Sequence, residues 1–130
     1  MGAYRTALGK LLLAFVTPDA LDDHLPREPF PALTKRTITR RHALVTELEQ
    51  IRRSGYALDN EEGDVGVFCN AVPVRRGSER VAALSVTGPA GEFAAPATER
   101  LLVRLREAAV ALETGNQFHY AVQIVRRSLR

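Results

Sequence analysis

The sequence predicts an α+β domain in which helices pack on an antiparallel sheet. Three strands are predicted in succession, over Tyr56–Asn60, Gly66–Arg75 and Arg80–Thr87, and residues 76–79 have the composition of a hairpin turn. Hydrophobic residues make up 45% and charged residues 25% of the 130 residues, which is typical of a globular chain with one core.

Apolar residues at helical spacing predict four helices around these strands. Leu44, Leu48 and Ile51 form the clearest amphipathic stripe, and Gly55 follows them as a left-handed C-terminal cap. The predicted apolar stripe of the first helix consists of Leu8, Leu11, Leu12 and Phe15. The predicted helices cover Thr6–Val16, Pro18–His24, Ala43–Ser54 and a long segment from Pro96 or Ala97 to about Thr114.

The remaining segments are less regular. Leu25–Ala32 contains three prolines and is predicted to be a loop, whereas Thr34–Thr39 is either a short strand or an extended link. Gln117–Arg130 could form another helix, a partner-binding tail or a frayed end. We therefore divide the chain into a domain over residues 1–115 and a C-terminal tail over residues 116–130.

Strand alternation groups three small polar residues. Cys69 shares one face of its strand with Val67 and Ala71, and Ser85 shares a face with Thr87 on the next strand. If these two faces coincide, the thiol and both hydroxyl groups line one concave surface. The alternative is that Ser and Thr are simply tolerated on a half-exposed sheet face.

The overall charge favours no particular macromolecular partner. Fifteen acidic residues are mixed among eighteen basic ones, for a net charge of +3, and such a mixture favours a solvated surface over a nucleic-acid patch. Cys69 is the only cysteine, so no intrachain disulfide is expected. The sequence has neither an apolar run of about 20 residues nor a signal peptide at its start, so we expect no membrane partner and a cytoplasmic protein.

Two apparent motifs do not support a phosphate or metal site. Lys10 follows Gly9, but the surrounding residues lack the P-loop spacing, and a solvent-facing lysine is the favoured interpretation. Three histidines lie far apart, which is not the spacing of zinc ligands. Glu61, Glu62 and Asp64 are interpreted as an exposed acidic turn in preference to a cation site.

The sequence favours neither catalysis nor specific nucleic-acid binding. Cys69 would need a nearby base to act as a nucleophile, and His42 is the only plausible one, so a buried or pocket-lining cysteine is favoured. No catalytic residue, metal site or cofactor is predicted. The arginines of the segment 126–130 favour a solvated chain end over a specific phosphate contact.

Three stretches in this order resemble one family of bacterial proteins. They are Ala7-Leu8-Gly9-Lys10, the segment Gly55–Val74 and the segment Leu84–Pro89, and the match extends from about Tyr4 to about Leu112. The sequence resembles the C-terminal effector-binding domain of IclR-type transcription regulators. The resemblance implies a GAF-like sandwich that senses a small molecule, with a small organic acid as one candidate, and catalyses no reaction.

The resemblance also implies a ligand site between the sheet and the first helix. It assigns backbone and wall positions, an acidic residue, a pocket cysteine and two hydroxyl groups that hold a small carboxylate or a similar group. These positions correspond, in that order, to Ala7 and Leu8, Asp59, Cys69, and Ser85 and Thr87.

Three positions depart from the pattern of the family. Tyr4 stands where a histidine is common, and Asn70 stands at a strand position that is usually more apolar. Arg5 replaces a small residue and could either pair with an anionic ligand or point into solvent; solvent is the favoured alternative.

The family's winged helix-turn-helix, its linker helix and its first strands are not found in these 130 residues. DNA contact is therefore expected only through a module that lies outside this chain. Two alternatives to ligand sensing stay open: a ligand-independent oligomerisation module, and a small enzyme that uses Cys69 or Glu62.

An exposed sheet edge is expected where the family's first strands would lie, and such an edge favours pairing with another chain. We therefore predict that the isolated chain forms a homodimer or a larger homo-oligomer. Light scattering measures this directly, and a uniform monomeric mass would contradict the prediction.

Overall fold

The computed structural model describes residues 2–76, 79–92 and 97–113, and its centre is a three-stranded antiparallel sheet between two helical layers. The helices are α1 (Ala7–Leu13), α2 (Pro18–Leu21), α3 (Arg41–Ser54) and α4 (Ala97–Glu113). The strands are β1 (Ala57–Asn60), β2 (Val67–Arg76) and β3 (Glu79–Pro89), in the spatial order β1-β2-β3. Single 3₁₀ turns cover Ala3–Arg5, Asp22–His24 and Ala90–Glu92. The predicted α+β class is confirmed.

The two faces of the sheet pack against different helices. Alternation along β2 sends Cys69 and Ala71 to one face, where they join the core formed with α1 and α3. Val72 and Val74 lie on the opposite face and pack against the apolar stripe of α4, which includes Leu105. Both faces of the sheet are therefore covered by helices along its central strand.

Local sequence signals account for one end of each of the first three helices. Thr6 caps α1 by accepting the Gly9 N–H at 3.0 Å, and Pro18 opens α2. Gly55 ends α3 with a φ of 79°, the left-handed conformation predicted for it. Thr34–Thr39 is not a strand: it begins with a turn, in which the Thr37 N–H donates to the Thr34 carbonyl at 3.4 Å. Its end is held to the preceding loop by the Phe30 N–H, which donates to the Thr39 carbonyl at 2.8 Å.

The predicted stripe of the first helix is wrong at two of its four positions. Leu8 and Leu12 are 38% and 51% exposed, whereas Ala7, Leu11 and Ala14 are buried. The small alanines allow α1 to approach the sheet closely, so that the helix contacts all three strands. Leu11 and Phe15 pack against the core, whereas Leu8 and Leu12 turn away from it. The prediction failed at these two positions because it gave every leucine the same weight.

Lys10 was predicted to face solvent, but it is fully buried. Its ammonium donates to Glu47 Oε1 of α3 at 2.8 Å, to the Leu58 carbonyl of β1 at 2.6 Å and to Glu62 Oε1 at 2.8 Å. A buried ammonium requires such partners, because an uncompensated charge inside a protein costs several kcal/mol. Lys10 thus joins α1, α3, β1 and the β1–β2 loop (residues 61–66) at one point.

The β1–β2 loop is consequently not the exposed acidic turn that was predicted. Glu62 is buried by its contact with Lys10, and its own N–H donates to Asp59 Oδ1 at 2.8 Å. Thr34 and Thr37 donate hydroxyl hydrogen bonds to the backbone carbonyls of the loop. Only the second half of the predicted turn, which includes Asp64, is exposed. The predicted tail, residues 116–130, lies outside the described residues.

Asn70 is a buried polar residue whose cost in stability can be measured. It is 0% exposed on the face of β2 that carries Val72, and neither atom of its amide has a hydrogen-bond partner in the described part of the chain. An unsatisfied buried amide costs about 1–3 kcal/mol. We predict that Asn70→Leu raises the free energy of unfolding by about that amount in urea denaturation. The control is Asn60→Leu at an exposed site, and a destabilised Asn70→Leu would contradict the prediction.

Removal of the buried ammonium should have the opposite effect. We predict that Lys10→Met lowers the free energy of unfolding at neutral pH by about 3–5 kcal/mol, because Glu62 is left buried without a counter-charge. Lys35→Met, at an exposed position, should change it by less than about 0.5 kcal/mol. Equal stability of the two variants in urea denaturation would refute the role assigned to Lys10.

The pH dependence of this loss has a definite sign. Burial raises the pKa of Glu62 above 4.5, and the charge of Lys10 opposes the rise. Between pH 4.5 and the raised pKa of Glu62, the folded chain binds more protons than the unfolded chain. The free energy of unfolding therefore falls as pH increases through this range. Lys10→Met removes the opposing charge and raises the pKa of Glu62 further. The deficit of the variant should therefore grow as pH rises from 4.5.

Candidate functional site

A cleft of about 430 Å³ lies between α1, the β1–β2 loop and the ends of the strands. Its volume falls in the range of small-molecule sites. Most of its apolar wall comes from Leu8, Leu33 and Val67. Its polar wall consists of Arg5, Thr6, Asp59, Asp64, Cys69, Ser85 and Thr87.

Strand register brings the thiol and the hydroxyl groups together. Cys69 pairs with Thr87 across β2 and β3, and Ala71 pairs with Ser85, so the two predicted faces coincide. The Thr87 hydroxyl donates to the Cys69 sulfur at 3.3 Å. The antiparallel ladder thus places one thiol and two hydroxyl groups side by side on the cleft wall.

Asp59 enters the cleft from β1. It pairs with Cys69 in the ladder, is 5% exposed, and its Oδ1 accepts the Glu62 N–H. This hydrogen bond fixes the carboxylate against the β1–β2 loop. Gly63 of that loop also lies against Asp59 and against the Arg5 backbone, since a Cβ atom there would come within 2.9 Å of the Arg5 carbonyl oxygen. Only a residue without a side chain permits this close approach at the end of the cleft.

Five of the six residues predicted for a ligand site line this one cleft. They are Leu8, Asp59, Cys69, Ser85 and Thr87. Ala7 does not line it, because its side chain is fully buried in the core beneath α1. Binding of a ligand by these residues stays a prediction.

Arg5 and Gly63 were not predicted to line the cleft. Arg5 is half-buried there, whereas the sequence favoured a position in solvent. The 3₁₀ turn Ala3–Arg5 packs under α1 and keeps the residue beside the cleft, and no local pattern encodes that contact. For Gly63 the only local signal is the residue type itself, since glycine is the residue that permits a close approach of two backbone segments.

The chemistry of the cleft favours binding. Burial raises the pKa of the Cys69 thiol, and hydrogen bonding to Thr87 and Ser85 only partly opposes the rise. A thiol with a raised pKa is a poor nucleophile.

No group of acidic, histidine or cysteine side chains within the described ranges could hold a metal ion. In the same residues, no helix is both long and apolar enough to cross a membrane.

Comparison with curated relatives gives consistent matches over most of the chain. The KdgR transcriptional regulator of Escherichia coli K12 is 36% identical over 117 residues, which cover 89% of this chain and 44% of the relative. The transcriptional repressor YiaJ of the same organism is 36% identical over 126 residues, covering 95% of this chain and 44% of the relative. The chain therefore spans less than half of the length of these relatives.

Solved structures of similar domains share the fold. The inducer-binding domain of a PobR double mutant from Acinetobacter, in complex with 3-hydroxybenzoic acid, aligns with a TM-score of 0.78 and 29% identity. That alignment covers 85% of this chain and 65% of the other. The C-terminal domain of E. coli KdgR aligns with a TM-score of 0.66 and 34% identity, over 97% of this chain and 70% of the other.

The family model for the C-terminal part of the bacterial transcriptional regulator IclR matches residues 1–114, nearly the whole of the predicted domain. The fold and the relatives described above agree with this match. The chain belongs to the IclR family of transcription regulators, as a C-terminal domain of that family.

Proposed function

We propose that this domain senses a small molecule through the cleft between α1 and the sheet. The observation that carries the proposal is the convergence of side chains from α1, β1, β2 and β3 on one space of about 430 Å³. Such convergence is characteristic of sites that orient a small ligand with a few polar groups in a largely apolar cavity.

The two kinds of wall suggest how a ligand would bind. Leu8, Leu33 and Val67 offer apolar contacts, while the hydroxyl groups of Ser85 and Thr87 can donate to or accept from a polar ligand group. The similar PobR domain holds 3-hydroxybenzoic acid, which supports a small organic acid as the ligand of this chain.

Sensing would act by differential binding. A ligand that favours one arrangement of α1 and the β1–β2 loop shifts the population toward it, and the shift reaches DNA through subunit packing. We propose that DNA binding belongs to a winged helix-turn-helix outside this chain, that the domain assembles as a homo-oligomer in the cytoplasm, and that it performs no catalysis. The raised pKa of Cys69 supports the last point.

A ligand-independent assembly module is the second candidate. Among the described residues β1 and β3 each pair only with β2, so that neither edge of the sheet has a further strand, and such edges are templates for association. Formation of mixed oligomers with an intact regulator, without any response to ligand, would favour this candidate.

The sensing function predicts ligand-dependent stability. A thermal-shift screen of small aromatic and aliphatic carboxylates, sugar acids and neutral controls should yield a compound that raises the unfolding temperature saturably. At 100 times the dissociation constant the stabilisation should be about 2.7 kcal/mol. Ser85→Ala should lose most of this shift, because one hydrogen-bonding group of the cleft is removed.

Ser54→Ala is the matched control, since Ser54 lies outside the cleft and is exposed. It should respond to ligand as the wild type does. If no compound stabilises a well-folded chain, the result would favour the assembly module. If both variants respond equally to ligand, Ser85 does not contribute to ligand binding.

A further inference from the structure

We propose, on the basis of the sensing function above, that Arg5 is a specificity-determining residue of this chain. Its guanidinium would bind the carboxylate of the ligand and make the cleft prefer an acid over a neutral molecule of the same shape. The site would thus hold its ligand's negative charge at a side chain and not only at the hydroxyl groups of β3.

Arg5 is the only cationic residue that lines the cleft in the described part of the chain. Two aspartates, Asp59 and Asp64, line the same space, yet Arg5 forms an ion pair with neither of them nor with another described acid. By contrast, the buried cation Lys10 is held by two glutamates. Within the described residues no acidic side chain therefore holds the guanidinium of Arg5, which can donate to an external acceptor.

The surroundings of Arg5 hold it at the edge of the cleft. Its guanidinium carbon lies 5.9 Å from the centre of the Tyr4 ring, within the range of a cation–π contact. Tyr4 is itself buried, and its hydroxyl donates to the Pro31 carbonyl, so the ring is fixed in place. A guanidinium that such a contact already orients in part loses less freedom when it binds a carboxylate.

The charges of the cleft make its affinity for an anionic ligand depend on Arg5. Without Arg5, the charged lining residues would be two carboxylates, which would repel an anionic ligand. Asp59 is buried, and its repulsion is therefore poorly screened, whereas Asp64 is exposed and contributes less. A bidentate contact between the guanidinium and the carboxylate of a ligand would oppose this repulsion, because it consists of two charge-assisted hydrogen bonds.

The test compares matched acids and amides. Binding of 3-hydroxybenzoate, 3-hydroxybenzamide, hexanoate and hexanamide to the 130-residue chain is measured by NMR titration up to millimolar concentrations. In at least one pair the acid should bind the wild type about tenfold more tightly than its amide. Arg5→Met should abolish this preference and leave the affinity for the amide unchanged.

Three further variants separate charge from general damage. Arg5→Lys keeps the positive charge and should retain part of the preference for the acid. Asp64→Asn removes a carboxylate from the cleft and should increase that preference. Arg53→Met removes an exposed arginine outside the cleft and should change nothing.

Each remaining result overturns the proposal in a recognisable way. If acids and amides bind the wild type equally, or if Arg5→Met keeps the preference for the acid, Arg5 does not select the ligand and the sensing function stands. If neither acids nor amides bind the folded wild type, both the role of Arg5 and the sensing function of the cleft are rejected.

Discussion

The buried ammonium of Lys10 is the constraint on which the rest of this structure depends. It lies on α1 and is held by Glu47 of α3, by the Leu58 carbonyl of β1 and by Glu62 of the β1–β2 loop. Each of these partners would be costly to lose, because a charge without compensation in the interior costs several kcal/mol. Four segments that are distant in sequence are therefore fixed relative to one another by one side chain.

The cleft follows from this arrangement. Lys10 sets the distance between α1 and the β1–β2 loop. These two elements form the sides of the cleft, and β2 and β3 form its floor. The two carboxylates beside the loop have different roles. Glu62 neutralises the charge of Lys10, and Asp59 accepts a hydrogen bond that fixes the loop backbone. The polar groups of the site thus rest on a network of which Asp59 lines the cleft, whereas Lys10 and Glu62 lie just outside it.

The sequence predicted those parts that depend on local pattern. Alternation and turn composition gave the three strands, and the spacing of Leu44, Leu48 and Ile51 gave α3. It did not predict that Lys10 is buried, because a lysine is usually exposed and its partners lie 37 to 52 residues away. The helical spacing of Ala7, Lys10 and Ala14 did place the lysine on the buried face, so a signal was present. Five of the six suggested site residues meet in one cleft, whereas the position of Arg5 depends on packing that no pattern encodes.

The same network explains how a binding cleft could influence distant parts of the domain. Gly63 and Asp64 line the cleft, and Glu62, their neighbour in the loop, contacts the ammonium that also binds Glu47 on α3. A ligand that displaced the loop would separate buried opposite charges unless α1 and α3 moved with it. Because this separation is costly, the three elements are expected to move together, and the arrangement that a ligand favours is passed from the cleft to α3. A sensing domain requires a packed core that changes between discrete arrangements. The buried ion cluster of Lys10, Glu47 and Glu62 meets part of this requirement, because it makes α1, α3 and the loop move as one unit.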